Sequence, residues 1–142
     1  MKIKERPMRE EKTTAARRGV VVLIEDDAEF RSIVSRWLQP EFDTISFDDG
    51  EPFLSSDQEF VPDLIVMDVK LPGLNGYSLC RRIHEQRRFA GVPVLFLTGV
   101  DSDEGFLLGL DAGGASYMTK PVERKDLLAR IRELVDYQMN TN

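Results

Sequence analysis

The sequence holds one cysteine, Cys80, among 142 residues, so no internal disulfide can form. A reducing, cytoplasmic setting is the simpler expectation. It also lacks any apolar stretch near the roughly 20 residues that span a membrane. Arg17-Arg18 precedes the run Val20–Ile24, but that run is too short for an export signal and ends in three acids. No internal repeat or low-complexity segment is present. Net positive charge is lacking as well: the formal charge is −6, which argues against direct nucleic-acid binding and against a membrane surface. The charge is uneven. Residues 1–18 hold seven basic and three acidic residues, and the remainder holds twelve basic and twenty-two acidic. The first 18 residues show no clear period and read as a charged, mobile tail.

From Gly19 onward, short apolar runs alternate with helical patterns. Val20–Ile24, Leu64–Met67, Val94–Leu97 and Ala115–Met118 read as strands, with Phe42–Phe47 as another. Runs this short and rich in Val and Ile suit strands buried on both faces, hence a parallel sheet covered by helices. Ala28–Leu38 places Phe30, Ile33, Val34, Trp37 and Leu38 on one helical face, with Asp27 as cap. A short, weak helix follows over 51–58. Leu79, Cys80 and Ile83 mark the inner face of the next, residues 103–112 read as a fourth, and Glu123–Tyr137 as a long amphipathic fifth. Five such pairs with right-handed crossovers predict an α/β domain with a doubly wound, five-stranded parallel sheet in the 2-1-3-4-5 order of flavodoxin-like folds. Its switch point falls between strands one and three. Those strands end in Asp26 and Asp68.

Strand ends in such sheets bind ligands. Here they would gather Glu25, Asp26 and Asp68, together with Thr98 and Lys120. Carboxylates crowded from two strands repel unless a cation lies between them. Mg²⁺, which prefers a few carboxylates, a carbonyl and waters, fits that demand. Helix capping accounts for one acid after a buried strand, but not for three beside a fourth. Asp68 is the candidate nucleophile, able to form an aspartyl-phosphate. Thr98 can donate a hydroxyl to a phosphoryl oxygen, Gly99 leaves room for the group, and Lys120 supplies positive charge. Taken singly, Thr98 reads as a strand hydroxyl and Lys120 as a solvated surface charge; their place at strand ends gives them weight.

Val-Leu-Ile-Glu-Asp-Asp (22–27), Asp-Leu-Ile-Val-Met-Asp-Val-Lys-Leu-Pro-Gly-Leu-Asn-Gly (63–76), Leu-Thr-Gly (97–99) and Asp-Ala-Gly-Gly-Ala-Ser-Tyr-Met-Thr-Lys-Pro (111–121) together resemble the receiver domain of two-component response regulators. The resemblance covers residues 19–137, between a tail over 1–18 and a short one over 138–142. It implies that Asp68 accepts a phosphoryl group from a histidine kinase or histidine phosphotransfer protein. It further implies Mg²⁺ held by Asp26, Asp68 and the backbone carbonyl of Lys70, with Glu25 acting through water. Thr98 and Lys120 would clasp the phosphoryl group, Tyr117 would be the switch aromatic, and the Lys120–Pro121 peptide would be cis. A face of the fourth helix, fifth strand and fifth helix would report the state to a downstream effector or output domain.

Lys70 lies two residues after the acceptor, where its ammonium either reaches the phosphoryl group or stays in solvent. Gly105 and Gly109 weaken the fourth helix. Leu108 there points away from Leu107 and Leu110, as a residue of a partner or homodimer surface. His84, the one histidine, lies far from every strand end and reads as a helix-surface residue. Two other functions compete. A haloacid-dehalogenase-type phosphatase would need its nucleophile after the first strand and an acid two residues later, where Lys70 stands here. A receiver-like scaffold that binds partners without phosphate would have no need of Glu25, Asp26, Asp68, Thr98 and Lys120.

Overall fold

Three apolar runs, β1 (Val20–Ile24), β3 (Leu64–Asp68) and β4 (Val94–Thr98), form the centre of one parallel sheet in the computed structural model. Residues 17–56, 61–73, 75–99, 113 and 116–141 are described. Strands β2 (Asp43–Phe47) and β5 (Ser116–Thr119) flank the centre, giving the order β2-β1-β3-β4-β5. The helices are α1 (Ala28–Leu38), α2 (Gly50–Ser55), α3 (Gly76–Glu85) and α4 (Arg124–Thr141), with a 3₁₀ turn at Arg87–Phe89. The helix expected over 103–112, with Leu108, lies outside the described residues.

Side chains alternate across a strand, and the interior divides accordingly. Val22, Ile24, Ile65, Met67, Val94 and Phe96 pack with Phe53 of α2, with Leu79, Cys80 and Ile83 of α3, and with Phe89. Val21, Leu23, Leu64, Val66, Leu95 and Leu97 pack on the other side with Val34 and Leu38 of α1 and with Leu127, Leu128, Ile131 and Val135 of α4. Helix starts are set by side-chain caps. Asp27 Oδ1 accepts from the backbone N–H of Glu29 (3.0 Å) and Phe30 (3.1 Å), and Asn75 accepts from Ser78 N–H at 2.9 Å.

Because both faces of β1 are apolar, a one-residue slip would exchange one buried set for another, and hydrophobicity alone does not fix the register. Polar ends do. The Asp63 side chain, 3% exposed, accepts from Val20 N–H at 2.8 Å and from both terminal nitrogens of Arg17 at 2.8 Å. The Glu25 N–H donates to Phe47 C=O at 3.0 Å at the other end of β1. Arg17, which the sequence pattern groups with the tail, is thus tied to the sheet. Burial pushes the Asp63 carboxyl up, but the bonds from Arg17 and Val20 outweigh it and hold it below the usual 3.8. Its contribution to stability is therefore present above pH 3.8 and lost as the pH falls through the lowered value. Asp63→Ala leaves the Val20 N–H unpaired and is expected to lower stability by about 2 kcal/mol at neutral pH. Denaturant titration at neutral and acid pH checks this: the deficit should shrink in acid.

Helix α4 runs beyond the Tyr137 end predicted from its apolar spacing, to Thr141. Met139, four residues after Val135, continues the inward stripe, and the Gln138 side chain donates to Gly91 C=O at 3.1 Å. No helix among the described residues is long and apolar enough to cross a membrane.

Candidate functional site

The carboxyl ends of β1, β3, β4 and β5 meet at one edge of the sheet. Pairing of β1 with β3 sets Ile24 beside Met67, so the residues that follow, Glu25, Asp26 and Asp68, converge. A carboxylate oxygen from each of the three lies within 4.8 Å of the others. Glu25 is 1% exposed and Asp68 8%, while Asp26 is open to solvent. Such a set of oxygen donors, with one side open for waters, fits Mg²⁺.

Lys120 reaches into this cluster from the end of β5. Its Nζ donates to Asp68 Oδ2 at 3.0 Å and to Glu25 Oε1 at 3.1 Å. Asp68 Oδ1 accepts from Lys70 N–H at 3.1 Å, and the Lys70 side chain is exposed. Thr98, wholly buried, ends β4 one residue beyond Leu97, the register partner of Asp68. Its carbonyl accepts from Lys120 N–H at 2.7 Å, and the Lys120–Pro121 peptide is cis. A Cβ built at Gly99 would meet nothing within 4 Å.

Burial pushes the Glu25 carboxyl above its usual value, and repulsion from Asp68 adds to this; bonds from Asp27 N–H and Lys120 offset only part. Burial acts on Lys120 in the opposite sense, but its bonds to Asp68 and Glu25 outweigh it and hold the ammonium above the usual lysine value. The site is thus a pocket of crowded negative charge with one cation already committed to it.

Sequence pattern alone did not reveal several neighbours of this pocket. The Phe30 ring lies under the Lys120 ammonium, 4.5 Å from centroid to nitrogen. Arg31 Nη1 donates to Glu25 C=O at 2.8 Å. Tyr117 is half-buried and hydrogen-bonded to Tyr77, whose hydroxyl burial pushes up to about 12. Tyr77 in turn meets Phe96 edge-on at 5.0 Å. His84 stands apart from the site, but it is not the plain surface residue its helical position suggested. Its Nε2 lies 2.8 Å from Val92 C=O and its Nδ1 3.7 Å from the Cys80 sulfur.

Residues 21–132 match the response regulator receiver domain family. The chain belongs to this family. The receiver domain is 36% identical over 113 residues to the DNA-binding response regulator MtrA of Mycobacterium tuberculosis (strain ATCC 25618 / H37Rv), a match covering 79% of this chain and 48% of MtrA. Response regulator DrrB, a Thermotoga maritima OmpR/PhoB homolog, is 34% identical with a TM-score of 0.77, over 86% of this chain and 54% of DrrB. Chemotaxis response regulator CheY4 of Vibrio cholerae is 25% identical with a TM-score of 0.77, over 83% of this chain and 99% of CheY4. The receiver domain spans about half the length of the curated relatives it matches. Family and fold together make it a regulatory protein with a phosphorylation-based two-component role.

Proposed function

We propose that Asp68 is the phospho-acceptor of this receiver domain. The observation that carries the reading is the bridge from Lys120 to both Asp68 and Glu25 at the edge where β4 also ends in Thr98. An Asp68 carboxylate oxygen attacks phosphorus on the phosphohistidine of a histidine kinase or phosphotransfer protein. A P–O bond forms, the P–N bond breaks, and the imidazole departs with the electron pair. Mg²⁺ held by Asp26, Asp68 and the Lys70 carbonyl, with Glu25 acting through water, would neutralise charge on the group. Thr98 donates its hydroxyl to a phosphoryl oxygen, and Lys120 shifts its ammonium from carboxylate to phosphoryl oxygen.

Tyr117, at the foot of β5, is the residue we assign to carry the change outward, to a face that includes β5 and α4. That face would address a downstream effector, an output domain or a second copy. Curated relatives such as MtrA bind DNA; with its net charge of −6, this domain is expected to act on such an output rather than to touch DNA itself.

Incubation with acetyl phosphate and Mg²⁺, followed by intact-mass measurement, tests the reading. A single phosphoryl adduct is expected, absent with a chelator and absent in Asp68→Asn. No adduct in the wild type overturns it in favour of a scaffold. Rapid turnover of a small phosphate ester overturns it in favour of a phosphatase. The exposed Lys70 ammonium is close enough in sequence to shield the acyl phosphate from water, so Lys70→Ala is expected to change the phospho-Asp68 half-life by a few-fold, about 1 kcal/mol. Decay of the adduct after removal of acetyl phosphate measures it, and an unchanged half-life places Lys70 in solvent.

A further inference from the structure

We propose that Phe30 is a positioning residue for Lys120, holding the ammonium over the acidic pocket through the face of its ring. This role rests on the phospho-acceptor reading of Asp68. Lysine has three N–H donors on a flexible four-carbon stem. In Lys120 two of them go to Glu25 Oε1 and Asp68 Oδ2, and the ammonium sits 4.5 Å from the centroid of the Phe30 ring. The Lys120 side chain is only 26% exposed, so the ring stands where water would otherwise solvate the charge.

The ring itself is held in place. Phe30 lies in the first turn of α1, its N–H bound by the Asp27 cap at 3.1 Å, and it packs on the apolar cluster beneath α1 and α4. That cap directly follows Asp26 of the candidate metal site, so one turn of chain sets both the acid and the ring. Packing alone would be served by leucine at this half-buried position. The aromatic face adds an attraction for a cation that leucine lacks.

The contact matters most during transfer. Once an Asp68 oxygen is esterified, the Lys120 bond to it must be remade to the phosphoryl group. The bond to Glu25 is drawn away as the ammonium moves. The ring is the one neighbour of the three whose charge distribution does not change. It therefore confines the ammonium to the pocket while its polar partners exchange.

The test is the rate of adduct formation from acetyl phosphate and Mg²⁺, where the Asp68 P–O bond forms as the P–O bond to acetate breaks. Phe30→Leu is expected to slow uptake about fivefold. Pentafluorophenylalanine at position 30, which keeps the shape but reverses the ring quadrupole, should slow it as much. Phe30→Trp, with the stronger π face, should match or exceed the wild type. A second readout needs no phosphate: in metal-free protein the Lys120 Cε protons should be shifted upfield by the ring current, and Phe30→Leu should abolish that shift. Wild-type rates in both the leucine and pentafluoro variants, a loss in the tryptophan variant equal to that in leucine, or an absent ring-current shift overturns the proposal alone. Absence of any adduct in the wild type overturns the phospho-acceptor reading, and the role of Phe30 with it.

Discussion

Lys120→Ala is expected to slow phosphoryl uptake from acetyl phosphate by about 100-fold, the usual loss when one preorganised charge donor is removed from a transferring group. The same substitution should destabilise the metal-free protein. Lys120 is the cation bonded to Glu25 and Asp68, and Glu25 is 1% exposed. Without the ammonium, the buried Glu25 and Asp68 carboxylates lose the cation that bonds to both. Breaking a buried pair costs about 3–5 kcal/mol; with Lys120 26% exposed, about 2 kcal/mol is the better figure. That corresponds to roughly 8 °C in Tm for a domain of this size.

The pH dependence has a definite sign. The Glu25 carboxyl is raised above 4.5, so its linked stability is fullest below 4.5 and falls as the pH climbs through the raised value. In Lys120→Ala that fall should be steeper, and the Tm deficit should narrow in acid. Added Mg²⁺ should restore much of the lost stability at neutral pH by screening the same acids, yet leave uptake slow. Calorimetry with and without Mg²⁺, beside the intact-mass rate, separates the two effects. If Mg²⁺ restores both, Lys120 acts only as a counter-charge.

Gly76→Ala is expected to be the most damaging single methyl in the described chain. A Cβ at Gly76 would fall inside the contact distance of the Asp68 carbonyl oxygen and lie 2.9 Å from Val69 Cα. Both neighbours are backbone, with no rotamer to yield. Gly76 N–H also donates to Val69 C=O at 2.6 Å, so α3 begins directly on the segment that carries Asp68. Overpacking of this kind costs up to about 3 kcal/mol, or roughly 12 °C in Tm. The strain can relax only by moving Asp68 or α3, so uptake should fall in whatever fraction remains folded. Gly91→Ala is the control. A Cβ there meets nothing within 4 Å, and its effect should stay within about 0.5 kcal/mol. Thermal melts of the two variants make the comparison, and equal Tm values would mean that the helix start is not packed as described.

Much of this was legible in the sequence because it depends on pattern over short spans. Val20–Ile24, Leu64–Met67 and Val94–Leu97 announce two-sided strands, and each is followed at once by the polar residue it presents. Strand order then brings Glu25, Asp26 and Asp68 together without any knowledge of side-chain positions. What pattern could not show depends on distance along the chain. Phe30 counts as one more apolar residue on a helical face until the fold sets it under Lys120, ninety residues away. Arg17 looks like part of a charged tail, because its partner Asp63 lies beyond four intervening elements, β1, α1, β2 and α2. Apolar spacing ends the last helix at Tyr137, whereas α4 continues to Thr141, where Gln138 bonds to the distant Gly91 C=O. The face expected around Leu108 lies outside the described residues.

Among the described residues the sheet separates two apolar clusters: no side chain of one belongs to the other. Changes in the layer under α1 and α4 and changes in the layer under α2 and α3 should therefore combine additively, within a few tenths of a kcal/mol. For a lineage of such domains this gives unusual freedom. Phe30 aside, the α1 side can be rebuilt by drift toward a new partner while the α3 side, which seats the start of the Asp68 loop, stays as it is. Partner choice and phosphoryl chemistry can then evolve on separate schedules within one small protein.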